Sequence, residues 1–102
     1  MTANPARGEA VLALENAALM LRPSFAALVA AEEEIGPLFA LVERAASGAL
    51  KLSEMVALFW HCLADRPGAM TREAFGEAVT KAGLAAATPA LKVLLGQILG
   101  GR

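Results

Sequence analysis

His61, Cys62 and Asp65 are the residues whose chemistry draws the first look: an imidazole, a thiol and a carboxylate fall within two turns of one stretch of chain. Such types could pair a thiol nucleophile with its base, or hold a metal ion. Their spacing argues against both. On a helix, neighbours at i and i+1 diverge by about 100°, so His61 does not serve Cys62 as a base. The chain has one histidine and one cysteine, which leaves no second soft ligand for zinc. The expectation is a buried small hydrophobe at Cys62 and a surface pair between His61 and Asp65, four residues apart.

The segment from Asp65 to Glu73 lies between two helical patterns and superficially suggests a calcium loop. With Gly68 at the sharp turn, however, Leu63 falls at the first ligand position and Ala74 where a bidentate carboxylate belongs. The acidic run Glu32, Glu33, Glu34 reads as a solvated face. No phosphate-binding glycine loop, dinucleotide fingerprint, zinc-spaced cysteines or nucleophile elbow is present. No enzyme activity, cofactor or metal is therefore expected.

Charge narrows the partners. Nine basic against ten acidic residues give a formal charge of -1, which supplies no attraction for nucleic acid or for an anionic membrane. A helix-turn-helix reader could be drawn through the third and fourth helices, but the latter sets only Arg72 and Lys81 against Glu73 and Glu77. Apolar runs are interrupted by Glu43, Lys51, Asp65 and Lys92 before reaching the length of a membrane span. No signal-like segment follows the polar start, and the lone cysteine suits a reducing compartment, so a cytoplasmic protein is expected.

The elements that would position these residues follow from periodicity and punctuation. Residues 1–8 read as a flexible lead, and residues 9–102 as one mainly helical domain, since 102 residues can bury a core without disulfides. Glu9 to Leu14 and Leu19 to Arg22 read as a β-hairpin around Asn16, which tolerates a left-handed turn. Ser24 caps a first helix to about Glu34, with Phe25, Leu28, Val29 and Ile35 as its apolar stripe. Pro37 and Gly48 bracket a second, carrying Leu38, Leu41, Val42 and Ala45. Ser53 begins a third that runs to about Asp65, Thr71 a fourth with Phe75, Val79 and Ala82, and Thr88 with Pro89 a fifth with Leu91, Leu94, Leu95, Ile98 and Leu99. The fold class is α+β: an N-terminal hairpin followed by about five short helices.

The third helix is the informative one. Met55, Val56, Phe59, Cys62 and Leu63 fill a core stripe while Leu58 and Trp60 lie to either side of it, so the helix is apolar nearly all round. At 57% hydrophobic residues the chain carries more apolar side chain than a small interior needs. Part of it is expected to contact another protein through Phe39, Leu58, Trp60, Met20 and Met70, the aromatic pair as anchors and the methionines as adaptable contacts. The same surplus permits a homo-oligomer.

Several short motifs punctuate this layout: Leu21-Arg22-Pro23-Ser24-Phe25, then Ala27-Leu28 and the acidic Glu32 to Glu34 before Gly36, Leu50-Lys51-Leu52-Ser53 ahead of the third helix, and Ala82-Gly83-Leu84 before the last. Over about residues 8 to 102 this pattern resembles the gene transfer agent family of small phage-tail proteins. It departs from that pattern in the hairpin turn, where Asn16 to Ala18 replace the glycine often found there. The resemblance implies a non-enzymatic role in virion assembly from a prophage-like source, first as a tail assembly chaperone that keeps the helical tape measure protein soluble. Its alternative is a structural tail tube component, particle-associated and in contact with other tail proteins. A small DNA-binding or regulatory helical domain is the third possibility, since fold alone does not settle function.

Overall fold

Alternation of apolar and small residues sets up the first element pair. In the computed structural model, which describes residues 9–14, 17–66 and 68–100, strands β1 (Ala10–Ala13) and β2 (Ala18–Leu21) form an antiparallel hairpin. The register pairs Ala10 with Leu21 and Ala13 with Ala18. Ala10 and Leu12 point into the core and Val11 outward, as period two requires. Glu15 and Asn16 of the expected turn, and the expected flexible lead, lie outside the described residues. At the open end of the hairpin, buried Glu9 accepts a hydrogen bond from Arg22 Nε at 2.8 Å.

Five helices follow: α1 (Phe25–Ile35), α2 (Leu38–Ala46), α3 (Leu52–Cys62), α4 (Arg72–Ala82) and α5 (Leu84–Gly100). The expected caps at Ser24 and Thr71 are made, their hydroxyls accepting from the amides of Ala27 and Ala74. Gly36 and Gly83 stop α1 and α4 with φ of 90° and 97°, a region that side chains avoid.

Three boundaries differ from expectation. The cap of α3 is Lys51 rather than Ser53, because Glu54 reaches back to accept the Lys51 amide at 3.0 Å. This helix ends at Cys62, where the chain turns extended so that Leu63 bridges Leu21 of β2. The Arg22 amide donates to the Cys62 carbonyl and the Ala64 amide to that of Met20, giving β2 a second backbone neighbour. Helix α5 begins at Leu84 rather than Thr88, and Pro89 lies inside it. Strong helix formers at Ala85 to Ala87 and burial of Ala87 extend the helix backwards, while Thr88 turns its hydroxyl onto the Leu84 carbonyl. At 17 residues α5 is longer than the short helix expected, and it meets α4 at 111° across Gly83. Among the described residues no single helix is long and apolar enough to cross a membrane.

The core is continuous: Leu12 and Leu21 from the hairpin, Ala31, Leu41, Leu58, Phe59, Phe75, Val79 and Leu94 are all fully buried. Helix α1 packs on α3 through Ala31, with Ala27, Leu28 and Ile35 half-buried around it. Phe25 and Val29, expected on that stripe, are instead exposed, Phe25 at 84%. At 100° per residue Phe25 projects roughly 120° away from Ala31, so a close approach centred on a small side chain turns it outward.

Part of the acidic run is structural rather than merely solvated. Glu34 receives a two-pronged hydrogen bond from the Arg72 guanidinium and one from His61 Nε2 at 2.8 Å, tying the end of α1 to α3 and α4. Glu32 accepts the Leu38 amide and so joins α1 to α2. Hydrogen bonds from Arg72, and then from His61, hold the Glu34 carboxyl down at about 2, against an ordinary 4.5. A depressed carboxylate stabilises the fold fully above the unfolded value and loses that contribution as pH falls through the folded one. Its share of stability is therefore expected to fade between about pH 4.5 and 2. Glu34→Gln should lower stability at pH 7 by about 1 kcal/mol, as expected for a partly exposed pair, and flatten the acid limb of urea midpoints measured against pH. An unchanged limb would show that Glu34 is not the group responsible.

Candidate interaction surface

The residues that first suggested chemistry are held apart by the fold. Cys62 lies in the core at 1% exposure, and burial pushes its thiol up to about 12. His61 turns to Glu34 rather than to Asp65, so the expected surface pair is replaced by a longer-range one. Helix α3 ends before Asp65, and the one-turn relation that the pair needed is lost. Among the described residues no group of three or more His, Cys, Asp or Glu side chains is placed to hold a metal ion.

The five expected contact residues separate into three situations. Phe39, on the first turn of α2, is 74% exposed and remains a surface residue. Leu58 is fully buried and belongs to the core, because the buried arc of α3 spans Met55, Ala57, Leu58, Phe59 and Cys62 and so covers both flanks of the expected stripe. Trp60, Met20 and Met70 are half-buried. Trp60 packs against Phe75 with ring centroids 5.8 Å apart, and the Arg66 guanidinium sits over the indole, 4.3 Å from the ring centroid. Arg66 also donates to the Trp60 carbonyl, which fixes the guanidinium in place. Met70 packs on the core edge, and Met20 uses its carbonyl to hold the 62–64 segment.

Sequence reasoning missed Phe25, the most exposed of the large hydrophobic residues described, followed by Phe39, Leu99 and Leu84. The cue was available in the alanines: a wheel centred on Ala27 and Ala31 places Phe25 off the buried side. Also missed was an open groove of about 550 Å³ between the first turns of α3 and the length of α4. Leu52, Ser53 and Val56 line it from α3; Glu73, Gly76, Glu77, Thr80 and Lys81 line it from α4. Trp60 lies one turn beyond Val56 on the same side of α3, so groove and indole share a stripe of that helix that the described residues do not seal.

Two outcomes check this placement. Phe39→Ala should change stability by less than about 0.5 kcal/mol, as at ordinary surface sites, whereas Trp60→Ala should cost roughly 2 kcal/mol through lost packing on Phe75; equal effects in urea titrations would contradict it. Cys62 should resist iodoacetamide at pH 8 in the folded protein and react once urea unfolds it, as mass spectrometry would show.

The family described as "Phage tail tube protein, GTA-gp10" matches residues 7–101 of the chain. No curated protein and no solved structure matches it. The match runs from before the hairpin through the last described helix and thus takes in every element of the fold, so the chain belongs to the phage tail tube protein family of gene transfer agents.

Proposed function

We propose that the protein is a non-enzymatic structural component of a gene transfer agent tail, held in place by contacts with other tail proteins. The observation that carries this reading is the match of the tail tube family over residues 7–101. The surface offers contacts for such a role: Phe25, Phe39, Leu84 and Leu99 are large apolar side chains at 84%, 74%, 51% and 58% exposure. On this reading neighbours in the particle would cover them. Assembly would then begin in the cytoplasm and end with the protein particle-associated.

A second reading rests on the shortness of the strands. A tube wall built from a sheet needs long strands, and β1 and β2 have four residues each. On this reading the protein is a tail assembly chaperone that shields apolar helices of the tape measure protein and then leaves. Mass spectrometry of purified particles separates the two. A structural component should be recovered at a copy number comparable to other tail proteins. Recovery at trace level only would overturn the structural reading, and co-purification with a co-expressed tape measure fragment would then favour the chaperone.

A further inference from the structure

Gly76 is hard to explain from within the fold. It sits in the middle of α4, where glycine is less favourable than alanine, yet a Cβ built there would meet only Val56 Cγ1, at an ordinary 3.6 Å. Its φ is not in the left-handed region either. What the missing side chain does is leave the groove open down to Val56. The walls are charged in a pattern: Glu73, Glu77 and Lys81 are successive i, i+4 neighbours along α4 and all line the groove. Among the described residues none of the three is engaged in an ion pair, whereas Glu34 and Glu54 each are. Leu52, 42% exposed, forms an apolar lip on the α3 side.

We propose that this groove receives an amphipathic helix of another protein, one that seats an apolar side chain over Gly76 and Val56 and aligns two basic residues and one acidic residue with Glu73, Glu77 and Lys81. Complementary charge sets the partner's chemistry: its cations stand four residues apart, matching the rise of one helical turn between Glu73 and Glu77. The apolar floor supplies contact area, while the charged wall sets register. The groove also lies on the stripe of α3 that the described residues leave open, so the occupant would cover it. This inference holds whether the protein stays in the particle or leaves it.

The test uses the full chain and a fluorescein-labelled 18-residue helical peptide with a leucine stripe flanked by Lys, Lys and Glu at i, i+4 and i+8. A control peptide carries Glu, Glu and Lys at the same positions. Fluorescence anisotropy should show the first binding at least about five-fold more tightly than the second, with the gap closing at 0.5 M salt. Glu73→Gln with Glu77→Gln should remove the preference. Gly76→Leu should fill the floor and abolish binding, while Gly76→Ala, which fits against Val56, should raise the melting temperature and still weaken binding measurably. Equal affinity for the two peptides, no binding of either at millimolar concentration, or unaltered binding by the Gly76 variants would overturn the proposal. Concentration-dependent self-association abolished by Glu73→Gln with Glu77→Gln would overturn it too, by assigning the groove to a second copy.

Discussion

Helix α3 has almost no face that water can solvate, and enclosing it is the constraint around which the other elements are arranged. Its buried arc runs through Met55, Ala57, Leu58, Phe59 and Cys62. Helix α1 lies along one side, and the small Ala31 lets the two backbones approach; α4 supplies Phe75 and Val79 on another. The end of α3 is then captured by backbone pairing, because Leu63 leaves the helix to join β2 and so brings the hairpin over the core. The described elements leave the last side open. What remains open is the stripe of Leu52, Ser53 and Val56, with Trp60 beyond it under the Arg66 guanidinium.

The charged residues serve the same enclosure. Glu34 joins α1 to α3 and α4, Arg44 of α2 pairs with Glu54 of α3, and Glu9 with Arg22 closes the base of the hairpin. Glu54 is held low first by its hydrogen bond from the Lys51 amide and then by Arg44, so one carboxylate both caps α3 and ties it to α2. Each of these contacts is modest where water reaches it. Together they tie α1, α2 and α4 to α3 and link the two chain segments at the hairpin base.

Apolar surface left over from this arrangement lies mainly on the outer helices, not on α3. Phe25, Phe39, Leu84 and Leu99 stand outside because each helix can turn only one stripe inward, and these sequences carry apolar residues on more than one. Under the structural reading proposed above, neighbouring tail proteins would cover these residues. Here the thiol is buried and the imidazole is committed to Glu34.

Much of the layout is written locally. The hairpin, five helices, the caps at Ser24 and Thr71, the stops at Gly36 and Gly83, and the absence of the usual reactive motifs all follow from residues close in sequence, because turn chemistry and periodicity act over a few positions. The motifs that tied the chain to gene transfer agent tails were legible in the same way. The tertiary structure alone decided which faces were buried. It placed Leu58 inside and Phe25 outside, ended α3 early so that Leu63 could pair with Leu21, and gave His61 to Glu34, 27 residues away. It also set Gly76 and Val56 side by side to open the groove. Burial and pairing belong to two surfaces at once, and the second surface comes from a distant part of the chain that local pattern does not specify.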